Sequence, residues 1–168
     1  MQEIQGLLKF AELMNKFREV ERVVLIDGSD RMENDVEHSY QLATCAWYAI
    51  SVNKLSLDLD KTIKYSLLHD LVEVYAGDTF AYDLDPEAHA GKADREHAAL
   101  QKIKSEFAEF PELTDMIESY EKRDDEESRF VYALDKIIAP MNIYMDGGRI
   151  WQQNNITLEK HHEYKKDK

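Results

Sequence analysis

Apolar residues recur at intervals of three and four along most of this chain, which is the spacing of amphipathic α-helices. The periodic segments cover residues 4–17, 35–52, 60–76, 93–107, 111–122 and 124–141. Between them, Val23–Ile26 is a short apolar run, residues 78–91 have the composition of a loop, and a short helix-like piece follows residue 151. The pattern predicts an all-α protein, a compact bundle of about six to seven helices.

The scarcity of glycine and proline supports this interpretation. The chain has six glycines and three prolines among 168 residues, whereas sheet-rich folds consume both residue types in tight turns. No repeat, low-complexity linker or shift in composition divides the chain. We therefore expect a single domain over residues 1–168, with its core at about 4–150 and a short C-terminal helix and charged tail at 151–168.

The net charge and the cysteine content limit which binding partners and which cellular compartment the sequence favours. The chain carries 34 acidic and 21 basic side chains, a net charge of −13, which argues against a nucleic-acid polymer as partner. A single cysteine, Cys45, excludes an intramolecular disulfide. The sequence has no signal-peptide pattern and no apolar run of membrane-spanning length. We expect a cytoplasmic protein without membrane contact, in which an anionic substrate needs a metal ion or a few placed arginines.

The segment around His69 carries the strongest indication of chemistry. His69, Asp70 and Glu73 lie three and four residues apart in the most apolar part of the predicted third helix, so they would share one face. Titratable groups on a core-facing helix must be paired, hydrogen-bonded or bound to metal. A His–Asp ion pair with an exposed Glu explains the spacing as well as a metal site does. Imidazole beside carboxylate suits a divalent transition metal.

Two residues on other helices could complete a metal site. His38 lies in the first turn of the predicted second helix, and Asp135 interrupts an apolar stretch of the sixth. Taken alone, His38 fits a helix-cap histidine and Asp135 fits an ion pair with a lysine or arginine. With His69 and Asp70 they form a two-His, two-Asp set, which leaves room at a metal for water and substrate oxygens. The other histidines lack an apolar frame and are predicted to lie at the surface: His89, His97, His161 and His162.

The order His38, His69–Asp70, Asp135 resembles the metal-binding signature of the HD-domain metal-dependent phosphohydrolase superfamily. The flanks are most similar to the bacterial 5′-deoxynucleotidases and their eukaryotic HD-domain-containing relatives. Arg31–Ser39 resembles the stretch around the first metal histidine, and His69–Asp78 matches the family's His-Asp, Glu and Gly-Asp run in full. The resemblance extends over most of the chain and implies a single compact HD-domain helical bundle.

The resemblance also implies a role for each matched residue. One divalent ion (Mn, Co, Fe, Zn, Ni or Mg) would lower the pKa of a bound water and give a hydroxide nucleophile near neutral pH. Its four implied ligands are His38, His69, Asp70 and Asp135. Glu73 resembles the catalytic acid, which would orient or deprotonate the water or assist proton transfer to the leaving alkoxide. Asp78 resembles the residue that contacts the sugar hydroxyl, a role in both catalysis and substrate binding.

In this family an arginine upstream of the first metal histidine binds the substrate phosphate. Arg22 is the first candidate and Arg31 the second, since the guanidinium fork matches phosphate oxygens. The deoxynucleotidases carry a Trp after this arginine, whereas Val23 follows Arg22 here, which leaves the sugar preference open.

The implied function is a phosphomonoesterase that releases phosphate from (deoxy)nucleoside 5′-monophosphates through a metal-bound water. Relatives of this kind tend to form homodimers, so we expect one here. Two alternatives remain open. One is an HD-domain hydrolase of nucleotide di- or triphosphates or of a phosphodiester, although the chain offers no obvious extra pair of histidines for a second metal. The other is a non-catalytic helical module that binds metal or nucleotide, which would not need Glu73 or Asp78.

Overall fold

The computed structural model describes residues 2–80, 82 and 90–166. Nine helices and one pair of strands follow one another within these residues. They are α1 (Gln2–Phe17), β1 (Glu21–Leu25), β2 (Met32–Asn34), α2 (Asp35–Asn53), α3 (Leu59–Leu68), α4 (Glu73–Ala76), α5 (Lys92–Glu106), α6 (Pro111–Lys122), α7 (Glu126–Met145), α8 (Arg149–Gln153) and α9 (Leu158–Lys165). Most of the predicted loop at 78–91 and the last two residues of the charged tail lie outside the described residues.

The all-α prediction is confirmed, and the structure adds one β-hairpin to it. β1 and β2 pair antiparallel, with Glu21 opposite Asn34 and Leu25 opposite Met32. Val24 and Leu25 are buried against side chains of α7 and α8. The local sequence pattern shows only a short apolar run here. Contacts with helices distant in sequence stabilise it as a β-strand.

Side-chain caps fix where two long helices begin. The Asn34 side chain accepts a hydrogen bond from the Glu37 N–H at 3.0 Å, and the Glu37 carboxylate accepts one from the Asn34 N–H at 3.1 Å. Asp125 caps α7 by accepting a bond from the backbone N–H three residues further on. Each cap contributes about 1 kcal/mol. They place His38 in the first turn of α2 and Asp135 in the middle of α7.

The predicted third helix is wrong in one respect, because it is not continuous. α3 ends at Leu68, and the chain makes a tight turn over residues 69–72 before α4 begins at Glu73. In this turn backbone N–H groups bond three residues back, as from Glu73 to the Asp70 carbonyl at 2.9 Å. Side chains three apart then point the same way, so Asp70 and Glu73 lie side by side. This break and the division of the C-terminal part into α8 and α9 explain why the structure has more helices than expected.

Three clusters of buried apolar side chains form the core of the described part of the chain. The first joins α1, the 69–72 turn, α5 and α6, the second joins α2, α3, α6 and α7, and the third joins the hairpin to α7 and α8. Each cluster contains elements that also carry a polar residue of the site described next, so packing of the core fixes those residues in space. Within the described ranges no helix is long and apolar enough to cross a membrane.

Candidate functional site

Two histidines and two aspartates from three parts of the chain meet at one buried point. His38 Nε2 lies 2.9 Å from Asp135 Oδ1, and His69 Nε2 lies 2.9 Å from Asp70 Oδ2. The crosswise separations are 4.0 Å from His38 Nε2 to Asp70 Oδ2 and 3.8 Å from His69 Nε2 to Asp135 Oδ1. Donor atoms that share one ion at about 2.1 Å lie about 3 Å apart when adjacent and about 4 Å apart when opposite. These four separations match those between ligands of one metal ion. His38, His69 and Asp135 form one group of ligand atoms within 4.8 Å of one another, and Asp70 forms a second such group with Asp35 and Glu73.

The hydrogen bonds of His69 fit the same function. Its Nδ1 lies 2.9 Å from the Ser66 carbonyl oxygen, which only an Nδ1–H donor can satisfy. Burial would lower the pKa of His69, but the charge of Asp70 and the hydrogen bond between Nε2 and Asp70 Oδ2 raise that pKa above its usual value. A bound metal would take the place of the proton on Nε2, which faces the other residues of the site. A backbone carbonyl that holds the far nitrogen of a histidine is the usual arrangement behind a metal ligand.

The protonation states of the other three residues also fit metal binding. Burial, with the charge of Arg22, lowers the pKa of His38 to about 4, so its ring is neutral near pH 7. Burial acts to raise the pKa of Asp70, but the charges of His69 and Arg22 hold it well below its usual value. Burial would also raise the pKa of Asp135, but the hydrogen bond with His38 and the charges of His69 and Lys136 together lower it. Neutral imidazole and ionised carboxylate are the forms that bind metal.

Arg22, which β1 places beside the four residues, carries the central positive charge in this structure. Its Nη1 donates to Asp70 Oδ2 at 2.6 Å and to Asp35 Oδ1 at 3.1 Å. Burial alone would lower the pKa of Arg22, but the charges of Asp70 and Asp35 raise it above its usual value. Asp135 and Glu33 lie within 4.0 Å of the same guanidinium. The predicted phosphate-binding arginine is thus at the site, with its donors directed at carboxylates.

More carboxylates surround this point than one arginine can neutralise. Burial raises the pKa of Glu33 to about 7, and burial with the charge of Asp70 raises the pKa of Asp35 to about 7 and of Glu73 to about 11. One buried oxygen of each of these three has no hydrogen-bond partner among the described residues. Such an excess of negative charge fits a divalent cation. The residues present therefore fit a bound metal both in geometry and in charge.

The other predicted site residues divide into two groups. Glu73 and Asp78 both line the pocket that opens beside Arg22. Asp78 follows Gly77, whose φ of 75° turns the chain out of α4. Arg31 does not line this pocket: its exposed guanidinium pairs with both oxygens of Glu37, at 2.8 and 2.9 Å.

Several residues at the site carried no signal in the sequence. Glu33 and Asp35 lie at the junction of β2 and α2, where acidic residues are ordinary helix-start features. Lys92 lines the pocket 3.9 Å from Glu73, and Lys136 lines it 2.7 Å from Asp135. Lysines on helices are usually solvent-exposed, so only the fold reveals that these two face the pocket.

The pocket has a charged side and an aromatic side. Its charged and polar lining consists of Arg22, Asp70, Glu73, Asp78, Thr79, Lys92, Asp135 and Lys136. Its apolar lining consists of Val23, Val24, Phe80, Tyr82, Ala139, Pro140, Ile143 and Trp151. A ligand with an anionic end and a flat apolar end matches this division.

Comparison with known proteins gives one matching family and several named relatives. The model of the HD domain family matches residues 14–168. The protein of Mus musculus named 5′-deoxynucleotidase HDDC2 is 30% identical over 134 residues, which cover 78% of this chain and 65% of that protein. The Homo sapiens protein of the same name is 28% identical over 135 residues, covering 79% and 64%. The match thus spans slightly less than two thirds of these relatives' length.

Two solved structures resemble the fold over nearly the whole chain. A predicted metal-dependent phosphohydrolase from Magnetospirillum magnetotacticum superposes with a TM-score of 0.82 at 27% identity, covering 96% of this chain and 81% of that one. A conserved hypothetical protein from Pyrococcus furiosus superposes with a TM-score of 0.60 at 21% identity, covering 94% and 87%, and is a likeness of fold alone.

Proposed function

This chain belongs to the HD domain family, and on that premise we propose that it is a metal-dependent phosphohydrolase that releases phosphate from (deoxy)nucleoside 5′-monophosphates. We also propose that residues 1–168 form one such domain. The observation that carries the proposal is the convergence of two imidazole nitrogens and two carboxylate oxygens, with separations of 2.9 to 4.0 Å between each histidine and each aspartate, beside a pocket lined by charged and aromatic side chains. The relatives named 5′-deoxynucleotidase support the choice of substrate class.

The metal would be held by His38, His69, Asp70 and Asp135. A divalent ion held there supplies an acidified water and a positive charge for the phosphoryl oxygens. The pKa values of Asp70 and Asp135 are lowered, which favours their ionised forms, and the bond from His69 Nδ1–H to the Ser66 carbonyl leaves Nε2 as the nitrogen that would bind the ion.

The remaining proposed roles belong to groups on the charged side of the pocket. Glu73, buried beside Asp70, would hold the attacking water by a hydrogen bond or pass a proton to the leaving alkoxide. Arg22 would bind the phosphate, and Lys92 and Lys136 add two more cations to the pocket wall that such an anion would meet. Asp78 would accept a hydrogen bond from a sugar hydroxyl. Arg31 remains a prediction from the resemblance alone, and its place outside the pocket favours Arg22.

A single metal ion is favoured over a pair. A second group of possible ligand atoms, from Asp35, Asp70 and Glu73, adjoins the group of His38, His69 and Asp135, and it contains the proposed ligand Asp70. The Arg22 guanidinium already occupies this group, through its bonds to Asp35 and Asp70. One ion suits hydrolysis of a phosphomonoester, whereas a pair of ions is the common device for phosphodiesters.

A phosphate-release screen tests the proposal. The metal-free protein is supplied in turn with Mn²⁺, Co²⁺, Fe²⁺, Zn²⁺, Ni²⁺ or Mg²⁺ and offered deoxy- and ribonucleoside mono-, di- and triphosphates and a cyclic dinucleotide. We expect phosphate from 5′-monophosphates only when metal is present. His69→Ala should abolish release, while His97→Ala, which changes an exposed histidine of α5, should not. Turnover of the other substrates alone would favour a different HD-domain hydrolase, and tight metal binding without any turnover would favour a non-catalytic module.

We further propose that the protein forms a homodimer through the outer faces of α2 and α7. Tyr40, Tyr48, Met141 and Tyr144 are all more than half exposed there. α2 carries no charged side chain after His38. An exposed helix face with large apolar side chains and no charge is typical of a face that another surface covers. A basic partner would be drawn to acidic surfaces, whereas an uncharged face permits two chains of net charge −13 to meet.

Light scattering after size-exclusion chromatography tests the dimer. Tyr48→Glu and Met141→Glu should shift a dimer to the monomer, since each would bury a charge in the interface. Leu8→Glu, on the exposed side of α1, should leave the mass unchanged. A wild-type mass of one chain at high concentration would contradict this proposal without affecting the proposed reaction.

A further inference from the structure

Four aromatic rings in contact with one another form a wall that lines or supports the pocket. Phe80 and Tyr82 meet edge to face, with ring centroids 5.6 Å apart, and Tyr82 lies 6.3 Å from Trp151. His161, which α9 carries, lies 4.9 Å from the Trp151 ring. Phe80, Tyr82 and Trp151 line the pocket, and His161 packs behind two of them. This histidine was predicted to lie at the surface, whereas here it forms part of the wall.

The wall is fixed in place by polar contacts that do not face the pocket. The Tyr82 hydroxyl lies 2.5 Å from His161 Nδ1, which joins the loop after α4 to the C-terminal helix. α8 begins at Arg149, whose guanidinium donates to Asp146 at 2.9 Å, to Asp30 at 2.8 Å and to the Ser29 carbonyl at 2.6 Å. These contacts hold the start of α8 against the hairpin loop, two residues before Trp151.

The Trp151 indole N–H is a hydrogen-bond donor within this wall. Nε1 is buried and has no hydrogen-bond partner within the described ranges. Buried Trp N–H groups normally have a partner, because leaving one unbonded costs free energy. Since Trp151 lines the pocket, a bound ligand with an acceptor atom could satisfy this donor.

We propose that the wall is the subsite for the nucleobase of the substrate, and that the Trp151 indole N–H donates a hydrogen bond to an acceptor atom of the nucleoside. The proposal rests on the proposed function and adds to it the groups that select the leaving alcohol. Aromatic side chains stack on any base, and every base carries ring-nitrogen or carbonyl acceptors. α9 then contributes to substrate choice through His161, although it carries none of the proposed metal ligands.

Fluorescence tests binding without any need for turnover. The chain has two tryptophans, and Trp47 is exposed on α2. Trp47→Phe therefore leaves Trp151 as the only tryptophan. Titration of this variant with deoxyadenosine or thymidine, which carry no phosphate, should change its emission in a saturable way. 2-Deoxyribose 5-phosphate, which has no base, should leave the emission unchanged. Absence of any change with nucleosides would overturn the proposal.

Kinetics provide the second readout. Trp151→Phe keeps a ring and loses the N–H, and it should raise KM for a deoxynucleoside monophosphate about 10-fold while kcat changes little. The KM for 2-deoxyribose 5-phosphate should be the same in both proteins, and Trp47→Phe should match the wild type with both substrates. Equal KM values for the nucleotide in the wild type and Trp151→Phe would overturn the inference and leave the phosphatase intact. Nucleoside binding with no phosphate release from any substrate would contradict the proposed function and leave the subsite standing.

Discussion

Two groups of acidic side chains lie along α7, and they differ in how their charge is matched. At the start of the helix, Asp125 accepts hydrogen bonds from the Ser128 N–H at 2.7 Å and the Tyr65 hydroxyl at 2.8 Å, and Lys61 lies 3.0 Å away. Its slight burial would raise its pKa, but these three contacts lower the pKa to about 2. The ionised form of Asp125 is therefore the one that the fold stabilises.

The second group, about 15 Å further along the helix, is arranged in the opposite way. Around Asp135 the carboxylates of Asp35, Asp70 and Glu73 outnumber the available cations, and burial raises the pKa of Asp35 and Glu73. Buried charge without full pairing destabilises a fold. The same helix thus carries one cluster whose charges stabilise the fold. It also carries a second cluster whose excess negative charge a bound cation would neutralise.

Removal of the Glu73 carboxylate should have the largest effect. Glu73→Gln should lower kcat for phosphate release by about 10²- to 10⁴-fold, because the amide cannot take up or pass on a proton. Metal affinity, measured by calorimetry, should change little, since Glu73 is not among the proposed ligands. Glu112→Gln, at an exposed position of α6, serves as control. Wild-type kcat in Glu73→Gln would remove this residue from the mechanism.

Metal binding should stabilise the fold through the second cluster only. Excess divalent metal at about 100 times its Kd should raise the free energy of unfolding by about 2.7 kcal/mol relative to chelated protein. Urea denaturation checks this. Asp70→Asn should lose the increment, and Asp125→Asn should keep it. An equal increment in both variants would mean that the metal binds elsewhere.

The contribution of the first cluster, around Asp125, to the free energy of unfolding should depend on pH. Asp125→Ala should lower the free energy of unfolding by about 1–2 kcal/mol near neutral pH, through loss of the helix cap and of the contact with Lys61. Because the folded pKa of about 2 lies below the ordinary 3.8, this contribution is complete above pH 3.8 and is lost as the pH falls toward 2. Urea midpoints at several pH values should therefore converge with those of the wild type in acid. Asp124→Ala, one residue away and exposed, should show no such convergence.

Replacement of Asp35 should have the smallest effect, and it should raise the free energy of unfolding rather than lower it. Asp35→Asn should raise the free energy of unfolding of the chelated protein by about 1 kcal/mol, since the ionised form of this fully buried carboxylate is disfavoured in the fold. The amide oxygen can still accept the bond from Arg22. Urea denaturation near pH 8 checks this, with Asp115→Asn as an exposed control. Destabilisation by several kcal/mol would show that the Arg22–Asp35 pair is structural.

The sequence is sufficient to predict the long helices and the two histidines and two aspartates that meet at the site. Apolar periodicity locates α1, α2, α5 and α6, because their core-facing positions repeat with the period of the helix. Asp70 and Asp135 could be singled out because they lie in apolar stretches, and His38 because it lies in the first turn of an apolar helix. The family resemblance joined them into one set. The structure brings these residues together, and their roles remain proposals.

What the sequence could not predict depends on contacts between distant residues. The hairpin forms because Val24 and Leu25 pack on α7 and α8, and no local signal records that contact. The break after Leu68 lies inside a continuous apolar pattern, so periodicity extends the helix through it. His161 reaches Tyr82 across 79 residues, and no local pattern around His161 records that contact.

The central claim is that Asp70 belongs to a metal site on which phosphate release depends. The direct test compares the wild type with Asp70→Ala, both treated with metal, for phosphate release from a deoxynucleoside 5′-monophosphate. Metal content is measured in both proteins before the assay. We predict that the wild type releases phosphate only when it holds metal, and that Asp70→Ala holds less metal and releases no phosphate. An active Asp70→Ala protein would contradict the assignment of this cluster as the metal site.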